Sequence, residues 1–141
     1  MPARTAHAEW KGNLKEGSGS VKTETGEVDG SYSFPSRFES GKGTNPEELL
    51  GASHAACYSM ALANMLAEAG HKADSISTEA KVHLSMEGGD PHITKIELMT
   101  EGKVPGIDDA TFQEHAEKAK EGCPISKALS ATEISLNAKL L

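Results

Sequence analysis

Apolar positions along this chain change their period several times, and the changes mark its elements. From Thr44 to Gly70, TNPEELLGASHAACYSMALANMLAEAG, apolar side chains fall nearly all round a helical wheel: Leu49, Leu50, Ala52, Ala55, Ala56, Met60, Ala61, Leu62, Met65 and Leu66. The pattern predicts one long helix with little polar face, and a helix of that kind in water is a buried one. Asn45 suits the cap, Pro46 the first helical position and Gly70 the stop, while Glu48 stands three residues after the cap, as a capping box requires. Cys57 falls near the middle and is expected to be buried or nearly so.

Elsewhere the period is two. TAHAEWKGNL (5–14) alternates as an edge strand does, and SVKTET (20–25) pairs with it across a Gly/Ser turn at 16–19. Residues 26–30 read as a further turn. SYSFPSRFES (31–40) starts strand-like, but Pro35 confines it to an edge or a loop, because proline donates nothing to a ladder. After the long helix, ISTEAKVHLSME (76–87) puts Ile76, Thr78, Ala80, Val82, Leu84 and Met86 on one face. HITKIELMTEGKV (92–104) returns as its antiparallel partner, which allows His83 and His92 to face one another. Asp108 or Asp109 caps a helix through about Glu121, with Phe112, Ala116 and Ala119 inward and Gly122 as its stop. A short helical turn (125–130) follows Cys123-Pro124, and ATEISLNAKL (131–140) alternates once more. Strands, long helix, hairpin, helix, strand: the order predicts an α+β fold, antiparallel sheets packed on a long central helix.

Length and charge narrow the function. At 141 residues the chain fits a single domain, 1–141. Only 37% of residues are hydrophobic, a thin supply for covering such a helix, so a homodimer is expected. The net charge of −7, with no basic run, argues against nucleic acid as a partner. No apolar run reaches the ~20 residues of a membrane span, and MPARTAHAEW lacks a signal-peptide core, so a cytoplasmic protein without membrane contact is expected.

In a reducing compartment, two cysteines more often carry chemistry than staple a fold, although two inert buried thiols are the plainer alternative. Cys123 lies between a helix-stopping glycine and Pro124. It is thus placed as an N-cap, where unpaired backbone N–H groups stabilise a thiolate. Cys57 has no such help in mid-helix, and burial without a cation raises a thiol's pKa. Arg37 and Lys42 in the upstream loop are candidate cations. Arg37 is preferred because a guanidinium keeps its charge when desolvated, and Glu47 or Glu48 can hold it. Spacing alone leaves the cysteines open as a redox couple, a structural disulfide or two unrelated thiols. The absence of C-x-x-C weakens thioredoxin-like and zinc readings, and no metal site or phosphate loop is found. His54, three residues before Cys57, is a candidate base, though a merely packed helix histidine is the simpler expectation.

TNPEELLGASHAACYSMAL (44–62), with RFE (37–39) before it and GCPIS (122–126) after it, closely resembles the OsmC/Ohr family of hydroperoxide reductases, on its OsmC branch. The likeness extends over essentially the whole chain, including AEWKGNLKEGSGSVKTETG and KVPGIDDATFQEHAEKAKEGCP. It implies an OsmC-like fold in an intertwined homodimer whose sites draw on both chains. The activity implied is a cofactor-free thiol peroxidase of oxidative and osmotic stress defence. Such an enzyme reduces organic hydroperoxides in preference to hydrogen peroxide and is recharged by a dithiol of the dihydrolipoamide type. By the same resemblance Cys57 is the peroxidatic cysteine, Cys123 the resolving cysteine, Arg37 the residue that activates the thiolate, and Glu47 the carboxylate that orients Arg37. His54 is a departure from the Ohr branch, which has tyrosine there, and it leaves the preference between peroxides open. The rival readings are a general dithiol/disulfide oxidoreductase and a non-catalytic stress-protein domain.

Overall fold

The computed structural model describes residues 2–141, as an α+β chain in two compact units, one running through Leu49 and the other from Leu50 to Leu141. In the first unit β1 (Ala6–Lys11), β2 (Ser18–Thr23) and β3 (Asp29–Tyr32) form an antiparallel sheet in that order. The strand expected over the start of 31–40 lies earlier, with Asp29 and Gly30 inside β3 rather than in a turn. Its remainder is a short helix, α1 (Phe34–Phe38). The reason is local. Ser33 caps α1 by accepting from the Ser36 amide at 3.2 Å, Ser36 Oγ accepts from the Ser33 amide at 2.8 Å, and Pro35 sits in the first helical turn. Proline is excluded from a ladder but costs nothing there.

α2 (Pro46–Glu68) begins where the sequence places it, with Asn45 Oδ1 accepting from the Glu48 amide at 2.8 Å. The capping box is not reciprocal, since the Glu48 carboxylate takes the Thr44 hydroxyl at 3.1 Å. At the far end Gly70 adopts φ +90°, and the His71 N–H returns to the Leu66 carbonyl at 2.8 Å. An L side chain rarely takes that φ, which is why the helix ends on glycine.

The second unit holds β4 (Ser75–Ser85), β5 (His92–Lys103), α3 (Asp109–Gly122), α4 (Pro124–Ala128) and β6 (Glu133–Leu140). Asp108 supplies the α3 cap. β4 and β5 are antiparallel, with an irregularity at His83/Leu84 that sets His83 opposite Lys95 and His92 opposite Ser85. The two histidines therefore do not face each other, and His83 hydrogen-bonds Glu97 instead. β6 joins β5 in parallel, so the antiparallel expectation holds for every pair except this one. A parallel neighbour needs a crossover of a dozen or more residues, and the segment carrying α3 and α4 provides it.

The core of this unit gathers Tyr58, Leu62 and Leu66 of α2, Ile96 and Leu98 of β5, and Phe112, Ala116 and Ala119 of α3. α2 is less enclosed than its composition suggests. Gly51, His54, Tyr58, Leu62 and Leu66 form one buried stripe, while Ala52, Ala56 and Met60 are exposed, Met60 to 75%. Among the described residues no helix is long and apolar enough to cross a membrane.

Candidate active site

Cys57 and Cys123, 66 positions apart in the sequence, meet in the second unit as free thiols. Cys57 is half-buried on α2. Cys123 is fully buried at the junction of α3 and α4, where it ends one helix and caps the next. The Ser126 amide donates to Cys123 Sγ at 3.4 Å.

The two thiols are driven apart electrostatically. Burial pushes Cys57 up, the Ile125 amide partly offsets this, and Cys123 adds to the rise by accepting the Cys57 S–H. Burial alone would also raise Cys123. There it is outweighed by hydrogen bonds from Ser126 (hydroxyl and amide), Cys57 and the Ile125 amide, so the net shift is downward. A thiol mid-helix lacks the amides of a helix start, and the neighbouring thiol at a cap has them. The two shifts therefore run in opposite directions, Cys57 up by burial and Cys123 down by the hydrogen bonds at its cap.

Packed beside them is His54, fully buried on α2. Its Nε2 lies 2.7 Å from Ser126 Oγ, and burial lowers its pKa. Tyr58, one residue after Cys57, donates to the Ala116 carbonyl at 3.0 Å, and burial, then the charges of Glu117 and Cys123, raise its pKa. Sequence reasoning missed Ser126. The available signal was its place three residues after the Cys123 cap, the spacing at which a capping residue meets a backbone amide.

Arg37 and Glu47 meet in the first unit. Arg37 Nε donates to both Glu47 carboxylate oxygens at 3.2 Å, and Nη2 donates to Oε1 at 2.7 Å. Glu47 is 8% exposed in the first turn of α2, and Arg37 occupies the last turn of α1. The connection between those helices is tied down, with Ser36 Oγ donating to the Thr44 carbonyl at 2.7 Å and Asn45 Nδ2 to the Ser36 carbonyl at 3.0 Å. The guanidinium also lies 5.3 Å from the Phe38 ring centroid. Of the two carboxylates weighed from sequence, Glu47 is the one that meets Arg37, and Lys42 is exposed.

Arg37 borders a hollow of about 400 Å³ lined by Trp10, Leu14, Tyr32, Phe34 and Phe38, among others. Leu49 borders a separate, smaller hollow, and Met60 points to solvent.

Set beside known proteins, residues 39–139 match the family model described as OsmC-like protein. Peroxiredoxin OsmC of Escherichia coli (strain K12) is 51% identical over 138 residues, spanning 97% of this chain and 96% of that protein. The organic hydroperoxide resistance protein OhrB of Bacillus subtilis (strain 168) is 32% identical over 112 residues, 79% of this chain and 81% of that one. The crystal structure of an organic hydroperoxide resistance protein from Elizabethkingia anophelis, with crystallant-derived thiocyanate bound, superimposes with a TM-score of 0.76 at 26% identity, covering 99% of both chains.

Proposed function

The chain belongs to the OsmC family, and on that premise we propose that it is a cysteine-based peroxidase that reduces organic hydroperoxides to alcohols. The observation that carries the reading is the meeting of Cys57 and Cys123, one half-exposed and one buried and hydrogen-bonded, with no other cysteine in the chain.

In the first step the Cys57 thiolate attacks the terminal oxygen of R–O–O–H. The O–O bond breaks, an S–O bond forms, and the alkoxide leaves as alcohol after taking a proton; Cys57 is oxidised to the sulfenic acid. In the second, the Cys123 thiolate attacks Cys57 sulfur, and hydroxide departs as water after protonation. The resulting disulfide protects Cys57 from further oxidation. An external dithiol, of the dihydrolipoamide type, returns both electrons and both protons.

The first step needs a thiolate that burial disfavours. In this proposal Arg37 supplies the compensating charge, because a guanidinium stays protonated at any working pH, and Glu47 aims it by a paired hydrogen bond. The aromatic hollow beside Arg37 supports an alkyl or aryl tail as the part of the substrate bound, and hence organic hydroperoxides over hydrogen peroxide. The exposed stripe of Ala52, Ala56 and Met60 supports the homodimer, since apolar helix faces of this kind are normally covered. A cytoplasmic setting, where dithiol reductants are at hand, completes the proposal.

The test is intact mass after one equivalent of cumene hydroperoxide is added to the reduced protein, with Cys123→Ser in parallel. The expected result is loss of two hydrogens in the wild type and gain of one oxygen at Cys57 in the variant. Unchanged mass in both samples overturns the peroxidase reading and leaves disulfide exchange without peroxide as the use of the pair.

A further inference from the structure

His54 and Ser126 have no part in the two steps above, yet both are buried, His54 completely and Ser126 to within 4%. His54 Nε2 is 2.7 Å from Ser126 Oγ, and among the described residues its other ring nitrogen, Nδ1, is buried without a hydrogen-bond partner. The Ser126 amide already faces Cys123 Sγ at 3.4 Å.

Counting protons fixes the direction of this contact. Burial keeps His54 neutral, so the ring carries one N–H and one lone pair. A proton on Nδ1 would leave a buried N–H with no acceptor, among the rarest arrangements in folded proteins. It would also spend the Ser126 proton on Nε2. A proton on Nε2 leaves only a bare lone pair at Nδ1, and Nε2–H then donates to Ser126 Oγ. The hydroxyl proton of Ser126 is then free for another acceptor, and Cys123 sulfur, which takes the amide of the same residue at 3.4 Å, is adjacent.

We propose that His54 and Ser126 are a positioning pair for Cys123: His54 Nε2–H holds the Ser126 hydroxyl so that its proton points at Cys123 Sγ and stabilises the thiolate that closes the disulfide. The proposal rests on the reading of Cys123 as the resolving thiol. The downward shift of Cys123, to which the Ser126 hydroxyl contributes, agrees with it. The other titratable groups facing Cys123 are Cys57, whose S–H it accepts, and Tyr58. Once Cys57 is a sulfenic acid its S–H is gone, and the donors left to Cys123 are those of Ser126 and Ile125. The pair therefore acts when the resolving step needs it.

Losing one such hydrogen bond moves a thiol by roughly one pKa unit, about a tenfold fall in thiolate fraction below the pKa. Part is returned, since a more basic thiolate is the better nucleophile, and disulfide closure should slow about three- to fourfold.

The experiment has two arms. In a Cys57→Ser background Cys123 is the only cysteine, and its thiolate ultraviolet absorbance is titrated with and without Ser126→Ala. The apparent pKa should rise by about one unit, rise similarly for His54→Leu, and return for Ser126→Thr and His54→Gln, which restore the hydroxyl and an N–H donor. In the second arm, rapid-quench mass spectrometry of the intact cysteine pair should show that Ser126→Ala lowers the ratio of disulfide closure to Cys57 oxidation and lets sulfenic acid accumulate. An unchanged titration in Ser126→Ala, or a Ser126→Thr protein that behaves like the alanine variant, overturns the pair. The titration needs no peroxide, so it reports on the pair even if the wild type consumes none, an outcome that would sink the peroxidase reading alone.

Discussion

Glu47 and Glu48 are adjacent, equally charged and in the same helical turn, so replacing each by glutamine separates an arginine clamp from a general effect of charge at a helix start. Glu47 is almost fully buried and accepts three hydrogen bonds from Arg37, the shortest at 2.7 Å. Glutamine keeps the shape, but one of its two terminal atoms turns into a donor facing donors. A hydrogen bond to a charged group is worth about 1.5–3 kcal/mol. The Arg37 side chain is 32% exposed, so water recovers part of that, and the expected loss is about 1–2 kcal/mol. For a chain of this size it appears as a fall in Tm of about 3–8 °C.

The chemical cost is larger than the stability cost. On the proposed mechanism, in which Arg37 activates the Cys57 thiolate, a guanidinium no longer held by Glu47 is a misplaced group, and displacements near 1 Å cost on the order of 10²-fold in rate. Glu48 is exposed and accepts only the Thr44 hydroxyl, so Glu48→Gln should lose no more than about 0.3–1 kcal/mol, as a helix-dipole charge does, and keep its rate. The assay is stopped-flow consumption of cumene hydroperoxide under single-turnover conditions, with thermal unfolding of the same samples. Equal rate losses in the two variants, or a folded Glu47→Gln protein with the wild-type rate, would refute the clamp.

Two further outcomes test the packing and the buried histidine. A Cβ on Gly102 of β5 would lie 2.4 Å from Phe112 Cε1 and 3.2 Å from Ile76 Cδ1, so Gly102→Ala should destabilise by about 1–3 kcal/mol in urea unfolding, with much of the loss recovered by adding Phe112→Leu; an additive double variant would show that the clash is not the cause. His54 has a folded pKa below its ordinary 6.5, so between those two values the unfolded chain binds the extra proton, and stability should fall as pH drops below 6.5 and level off beneath the folded pKa; His54→Gln should remove that component from the pH series of urea midpoints, and a slope unchanged by the substitution would count against a buried neutral imidazole.

Much of this molecule follows from interactions between near neighbours, and those were legible in the chain. Asn45 and Asp108 at the helix starts, Gly70 at the stop, Cys123 between two helices, and the alternation that writes β4 and β5 all act within a few residues of themselves. The RFE, NPEEL…AACY and GCP segments carried the family likeness in the same way. The first misreading, at 31–40, was also local. By sequence Pro35 confines the segment to an edge or a loop, and the Ser33–Ser36 pair instead makes it the start of a helix.

The rest depends on residues far apart in sequence whose meeting no period records. Composition made α2 apolar all round, but the fold buries one stripe and leaves Met60 in water, because burial depends on which elements arrive at which face. β6 lies parallel to β5 because α3 and α4 return the chain to the starting end of the sheet. Arg37 had two carboxylates within reach, and the hydrogen bonds tying α1 to the start of α2 chose Glu47. His54 and Ser126, 72 residues apart, became partners only when α4 packed against α2. Local sequence can place a thiol at a helix cap, but which neighbour holds its proton is a property of the folded chain.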